Sequence, residues 1–437
     1  MLKKTFWFLS CLVYINSVKT ANAQNNLGGQ KSGSNYNTIT TAVPFMRISP
    51  DARSGAMGDI GIALSPDANA QYWNVAKLAM SDKDAGLSIT YTPWLKDLVP
   101  DIFLAYLSGY ARFGSDKDNK NQAISASMRY FSLGDINYTT IDAQPAGTGK
   151  PREFALDIGY SRKLSDNLSL GLTGKYIHSN IINGAGNSSG ITYKPGNAAA
   201  VDFGVFYTKP LNVASDVEGS SLNAGLVISN IGTKISYSGG RKDFIPTNLG
   251  IGLAYNYQVD EFNKLTVGLD LNKLLVPSPQ ITEDSLGNVY QTYPFNKSVM
   301  SGMLGSFGDA PGGMKEELQE VMLGIGAEYS YQNQFFARAG YFYESKYKGD
   351  RKYFSIGLGV KYNVFGLNVA YVVPGSGINR NPLSNTLRFS LLFDIDDLGK
   401  IIKPDDAKKN DKKSKKGSSD SKKDDKDEKG KDERKEK

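Results

Sequence analysis

Cysteine is almost missing from this 437-residue chain: Cys11 is the one example, and it falls inside an apparent export signal described below. The mature chain is therefore expected to hold no disulfide, no thiolate nucleophile and no cysteine metal site. Histidine is as scarce, with His178 alone. A serine nucleophile would have one base to choose from, and no Asp follows it at a recognisable spacing, so His178 reads as a polar residue of a lumen or interface. Metal binding through His and Cys fails on the count. Asp394, Asp396 and Asp397 lack the glycine and spacing of a calcium loop, and Gly250-Ile251-Gly252 has no helix behind it to cradle a phosphate. No catalytic residue, metal or cofactor is expected.

Long apolar runs are missing too. The stretch Thr5 to Val18 is shorter than the roughly 20 residues a spanning helix needs, and nothing comparable follows, so membrane contact has to be made by strands. Lys3 and Lys4 precede that stretch and Ala21-Asn22-Ala23 follows it, the layout of a signal peptide over residues 1–23 with Gln24 as the mature start. A lipoprotein signal would carry Cys at the cleavage point; Ala23-Gln24 stands there instead.

Nor is there a basic face. The net charge of +7 is concentrated at the ends: residues 403–437 hold 15 Lys or Arg against 11 Asp or Glu, and the signal adds Lys3, Lys4 and Lys19. The body between is near neutral, which argues against a nucleic-acid partner. The tail over 396–437 mixes both signs with Ser and Gly and has the composition of a disordered segment.

What the chain has in plenty is alternation. Leu249, Ile251, Leu253, Tyr255 and Tyr257 alternate with Gly250, Gly252, Ala254 and Asn256; Phe354, Ile356, Leu358, Val360 and Tyr362 alternate with Ser355, Gly357, Gly359, Lys361 and Asn363. This is the period of a two-faced strand. A soluble sandwich would expose charge and Thr opposite its apolar face. Here the second face is small, which fits a barrel with large apolar side chains turned to lipid and small polar ones turned inward, its girdles drawn from 25 Tyr and 20 Phe. Fourteen such segments lie between 85 and 395, beginning with 85–94 and 101–114 and ending with 365–375 and 383–395. Every second connection is short, as at Ser165-Asp166-Asn167, Asn333 and Val364. Several of the others are long, above all 276–320. The fold class is thus an all-β transmembrane barrel of about 14 antiparallel strands over 85–395.

Residues 24–84 precede the barrel and are built differently. Ser49-Pro50 sets an N-cap beside a proline suited to the first helical position, with Asp51 in the first turn, and predicts a short helix through about Gly58. Gly55, Gly58 and Gly61 allow close approach to another backbone. Small residues on both surfaces suit a plug inside a lumen lined by Gly, Ser and Asn, with Asp51, Arg53, Asp59 and Asn74 among its polar members. The inward charges Asp157, Asp202, Glu328, Lys361 and Arg388 are expected to pair with Arg47, Asp51, Arg53 or Asp59 of the plug.

The blocks PDARSGAMGDIGIALSPDANAQYWNVAKLA and YTPWLKDLVPDIFLAYLSGYAR resemble the PorV family, the outer-membrane barrels of the type IX secretion system of Bacteroidota, and the likeness runs from Pro44 to Phe393. More distantly, Asn74-Val75-Ala76 is similar to the Asn-Pro-Ala hatch motif of FadL-type transporters, with Val75 where that motif has proline. The resemblance implies an outer-membrane location with both termini periplasmic, and a binding and shuttling role. The implied partners are the SprA translocon, the C-terminal signal domains of cargo, an attachment complex containing the PorU sortase, and outer-membrane lipid. Partner contacts would fall on the loop 276–320, where Met314, Lys315, Glu316 and Leu318 sit in a stretch hinting at a helix. The alternative is FadL-like uptake of fatty acids or other hydrophobic molecules. It needs an apolar pocket near the outer mouth and a path through the barrel, which a small, polar inward face disfavours.

Overall fold

The computed structural model describes residues 37–94, 101–114, 120–139, 142–181, 194–211, 219–238, 240–283, 289–373 and 386–395. The expected signal peptide, 1–23, and the expected disordered tail, 396–437, lie outside the described residues.

Eighteen strands are formed among them: β1 (Ala85–Pro93), β2 (Ile102–Phe113), β3 (Gln122–Leu133), β4 (Ile136–Thr139), β5 (Pro145–Gly149), β6 (Arg152–Lys163), β7 (Leu168–Asn180), β8 (Gly196–Pro210), β9 (Ser221–Gly232), β10 (Asn248–Gln258), β11 (Asn263–Leu274), β12 (Gln280–Glu283), β13 (Val289–Thr292), β14 (Val321–Tyr331), β15 (Phe335–Tyr343), β16 (Lys352–Tyr362), β17 (Phe365–Val373) and β18 (Leu387–Ile395). Fourteen of them close into one antiparallel barrel in chain order, with β1 meeting β18 through Ala85↔Ile395 to Tyr91↔Phe389. Closure leaves no unpaired edge in hydrocarbon, where an unmet backbone group costs several kcal/mol. The other four form two hairpins, β4–β5 and β12–β13, standing in the long connections after β3 and β11. The alternation had predicted no structure there.

Side-chain direction follows the alternation. On β10, Ile251, Leu253 and Tyr255 face outward while Gly250, Gly252 and Ala254 are covered from within. On β1, Leu87, Ile89 and Tyr91 are exposed, and Ser88, Thr90 and Thr92 are buried. No helix among the described residues is long and apolar enough to cross a membrane, and the outward strand faces supply the apolar wall instead. One end of the barrel carries tight connections. At the β14–β15 turn Gln332 and Asn333 both take left-handed φ, 54° and 52°, the geometry that matches the twist of a two-stranded ribbon. The opposite end carries the long connections and is called the loop end below.

Residues 37–84 run inside this ring. Helix α1 (Ala52–Ala56) begins two residues later than its sequence predicts. Asp51, not Ser49, is the N-cap: its backbone is extended, and its carboxylate accepts the Ser54 amide at 2.8 Å. A carboxylate meets the first-turn amides better than the Ser49 hydroxyl does, because its charge also complements the helix dipole. Helix α2 (Ala70–Trp73) follows, then a 3-10 turn over Val75–Met80 capped by the Asn74 side chain through the Ala76 amide. In the connection after β11 stand two more short helices, α3 (Val299–Gly305) and α4 (Met314–Gln319).

Candidate functional site: the filled lumen and its mouth

The plug is held from both sides by residues on the inward positions of the wall. Arg53 donates through Nε and Nη2 to the two oxygens of Glu328 on β14, each at 3.0 Å. Its remaining bonds go to Ser65 and Asp67 within the plug. Burial alone would lower the Arg53 guanidinium, but the Glu328 and Asp67 carboxylates hold it above its ordinary range. Glu328 also accepts from Arg338 Nε on β15 at 2.6 Å, so one carboxylate serves two guanidiniums in the fork geometry that favours Arg over Lys. Asp59, at a left-handed φ of 56°, accepts from Arg388 of β18 at 2.7 Å and from the Tyr353 hydroxyl of β16.

Backbone groups of the plug that would otherwise be orphaned find wall side chains. The amides of Gly61 and Ile62 donate to Asp270 Oδ2 at 2.7 and 3.0 Å, the Ala52 amide to Ser390, and the Gly58 amide to Ser355. Ser169 donates to the Ala76 carbonyl and Asn74 to the Val205 carbonyl. Lys77 is buried with its ammonium 2.5 Å from the Gly61 carbonyl; burial pushes it down to about 8, and Asp67 opposes that shift.

Glycine sets how closely plug and wall approach. A Cβ on Gly58, at φ 73°, would lie 2.6 Å from the Tyr341 carbonyl, and one on Gly324 would lie 2.6 Å from the Gly58 carbonyl. On the opposite side a Cβ on Gly171 would meet the Ala76 amide at 2.7 Å. At this depth the lumen is filled by backbone against backbone, with apolar contacts such as Met57, Ile60, Ala63 and Leu64 between them.

Toward the loop end the filling changes character. Phe45 and Met46 pack with Leu104, Phe131, Ile177 and Ile235, and a second apolar group joins Ile39, Phe244, Leu274, Met322 and Tyr353. A cavity of about 320 Å³ lies between them, walled by Phe45, Ile48, Ile102 and Phe131 and faced by Arg351 and Arg388. Helices α3 and α4 stand over this end. Val299 packs on the second apolar group. The acidic side of α4 is clamped: Lys348 bridges Glu316 at 2.5 Å and Glu320 at 2.9 Å, and Lys273 bridges Glu317 at 2.9 Å and Glu320 at 2.5 Å. Asn37 adds a bond to Glu316, and Ser278 one to Glu320.

Residues 31–281 match the family model described as type IX secretion system protein PorV, more than half of the chain. The chain belongs to the PorV family. Membership makes it an outer-membrane β-barrel component of type IX secretion. Among solved structures it is similar to the toluene transporter TbuX of Ralstonia pickettii (12% identity, TM-score 0.44, covering 79% of this chain and 98% of that one). It is also similar to the toluene transporter TodX of P. putida (12%, 0.44, 79% and 98%) and to a Pseudomonas aeruginosa FadL homologue (12%, 0.40, 83% and 99%). No curated protein matches it in sequence.

In this PorV-family barrel the residues singled out from the sequence are distributed as follows. Gly55 lies under the Arg388 side chain, and Arg53, Asp59 and Asn74 touch the wall as described. Asp51 forms no ion pair with a lumen charge; its carboxylate is taken by the Ser54 amide and by Trp73 Nε1 at 2.7 Å. Of the five lumen charges, Glu328 and Arg388 meet the plug, and three do not. Asp202 pairs with Lys175 on the adjacent strand at 2.6 Å, Asp157 lies 3.9 Å from Arg129, and Lys361 bonds Asp394 at 2.5 Å. Another wall residue, diagonal on the adjacent strand or two strands away, is nearer than any plug partner. Arg47 pairs with Glu344 at 3.5 Å, beyond the end of β15. His178 points outward, stacked on Phe154 and in contact with Asn197. On α4, Met314, Lys315 and Leu318 are exposed, and Glu316 is turned into the lysine clamp. Asp270, Arg338, Arg129 and Tyr353 were missed, although the alternation carried the signal: Leu265, Val267 and Leu269 outward oblige Asp270 to face in.

Proposed function

We propose that this protein binds and hands on secreted proteins rather than conducting solutes. In this reading it docks on the SprA translocon, takes up the C-terminal signal domains of cargo at the cell surface, and passes cargo to the attachment complex containing the PorU sortase. In this reading the loop end faces the outside and the end of β18 lies on the periplasmic side, in keeping with the rule that bacterial barrels keep short turns there; Asn37, the first described residue, sits instead at the loop end, against Tyr347 and Glu316.

The observation that carries this reading is the lumen filled by plug backbone against wall glycines, below a loop end built up by α3 and α4. A filled barrel has its working surface at the mouth. Met300, Leu304 and Phe307 recur at helical spacing along and just beyond α3, and all three are exposed, an apolar stripe of the kind that marks protein contact. Deleting the gene should remove many surface and secreted proteins that share one C-terminal domain, and a pull-down from gently solubilised membranes should recover a very large barrel partner. Normal secretion in the deletion strain would refute the assignment.

A second reading rests on the 320 Å³ cavity, whose apolar wall suits a small hydrophobic molecule, as in uptake of fatty acids or other hydrophobic molecules; its guanidiniums are already paired with Asp59 and Glu344. The filled lumen beneath it argues against passage. Impaired growth on fatty acids or hydrocarbons, with secretion intact, would favour this reading over the first.

A further inference from the structure

Helix α4 has its acidic side chains on the wrong side for a helix bathed in water. Glu316, Glu317 and Glu320 face the protein, where Lys273 and Lys348 neutralise them. Met314 and Leu318, one turn apart, face away at 72% and 68% exposure. An exposed apolar pair backed by a saturated ion cluster has no reason to point outward unless what lies outward is apolar.

The register indicates what that is. Lys273 pairs with Val321 across β11 and β14 and shares its outward side with Leu271, which is exposed on the wall. Lys273 ties Glu317 and Glu320 to the outward side of the rim, while Glu316 bonds Asn37 at the mouth, so α4 straddles the rim with Met314 and Leu318 on its far side. Two residues further along β14, Leu323 is in register with Tyr343, and Ile325 with Tyr341. Tyr341 packs against Phe354 of β16 with ring centroids 4.6 Å apart. Outward aromatic rings at a barrel end mark the headgroup level, and α4 joins β14 directly at that end. The apolar wall thus continues upward through Val321 to Leu318 and Met314. Lys315, exposed between them, leaves a cation to meet lipid phosphate.

We propose that α4 is an interfacial foot: Met314 and Leu318 rest in the headgroup and acyl boundary of the leaflet at the loop end, with Lys315 at the level of the phosphates. Short amphipathic segments bind bilayers in this way, by apolar burial combined with attraction to anionic lipid. The foot would fix the height and tilt of the loop end that the proposed partners meet. It rests on the barrel's lipid-facing wall, and on the secretion reading only for the name of the leaflet.

The mature chain lacks cysteine once residues 1–23 are removed, so single nitroxide labels can be placed at will. Met314→Cys, Leu318→Cys, the wall site Ile325→Cys and the loop site Lys242→Cys would be labelled in the full-length protein. The carrier would be vesicles of phosphatidylcholine with anionic phosphatidylglycerol. The expected result is that labels at 314 and 318 are relaxed more by dissolved oxygen than by an aqueous nickel chelate, as at 325. Nickel access equal to that at 242 would overturn the proposal, and so would labels shielded from both agents. Lys315→Glu should raise nickel access at 318; an unchanged value would remove the headgroup contact. No partner is present in this measurement, so its failure leaves the secretion assignment standing, and normal secretion in a deletion strain would leave the foot standing.

Discussion

Glu328 accepts bonds from Arg53 of the plug and from Arg338 of the adjacent strand, so the two arginines are not equivalent to the carboxylate between them. Glu328→Ala leaves the buried Arg338 without its anion and Arg53 with Asp67 alone, and is expected to cost about 3–5 kcal/mol, the range for breaking a buried ion pair. Arg53→Ala leaves Glu328 paired with Arg338 and should cost clearly less. Thermal loss of the compact, heat-modifiable form in gel migration would rank them; equal losses would mean that the three groups do not share one charge balance. Sterics give a second residue-scale test. A Cβ on Gly340 would enter the backbone of Met57 and Gly58, whereas one on Gly174 meets nothing within 4 Å. Gly340→Ala should destabilise by about 1–3 kcal/mol through overpacking and Gly174→Ala should be neutral by the same assay. At this scale the sequence announces which side chains face inward, because the large apolar residues between them must face lipid. It does not announce partners. Asp157 and Asp202 lie on inward positions as surely as Glu328 does, but whether a residue of the adjacent strand or a plug residue lies nearest depends on the stagger of the ring, which no local pattern encodes.

Elements were legible in proportion to how strongly one environment dictates them. Every barrel strand faces lipid on one side and a packed lumen on the other, and that contrast writes itself into alternation. Hairpins β4–β5 and β12–β13 face no such contrast, and their residues read as loop. The start of α1 was misplaced for a different reason: Ser49, Pro50 and Asp51 are all good helix-start residues, and the choice falls to the carboxylate that can reach the Ser54 amide. The lipid contrast is testable directly. Leu253, outward near the middle of β10, should cost about 2–4 kcal/mol when replaced by Lys, the range for a cation near the bilayer midplane, measured by folding equilibrium into vesicles; a neutral outcome would place β10 against protein or water. Helix α4 gives a pH test. Burial alone would raise the Glu316 carboxyl, but hydrogen bonds from Lys348, Asn37 and the Gly312 amide hold it below its ordinary 4.5. Lys273, Glu317 and Glu320 complete the charges around it. A carboxyl lowered on folding adds stability that is full above 4.5 and is lost as pH falls through the lowered value. A label at Leu318→Cys should therefore gain mobility on acidification below 4.5, and Glu316→Gln should blunt that step.

For the molecule as a whole, barrel and mouth are separable in a way that the register makes plain. Leu274 ends β11 and Val321 begins β14, and Lys273 is the direct partner of Val321. The ends of the connection 275–320 are therefore adjacent across one strand spacing of roughly 5 Å, which a turn of about four residues spans. Replacing 275–320 by such a turn removes β12, β13, α3 and α4, together with the carboxylates that Lys273 and Lys348 neutralise, and Lys273→Ser and Lys348→Ser in the same protein would avoid unpaired cations. Ring closure through β1 and β18 and the bonds of Arg53, Asp59 and Asn74 to the wall all lie elsewhere. The shortened protein should insert in the outer membrane, migrate as a compact heat-modifiable barrel and keep small solutes out. If the mouth is where partners dock, the same cells should accumulate cargo in the periplasm, and the shortened barrel should no longer retain the large translocon in a pull-down. A compact barrel that still supports secretion would place docking away from 275–320 and withdraw the role given to the α3 stripe; a barrel that leaks would show that the connection, and not the plug alone, seals the lumen.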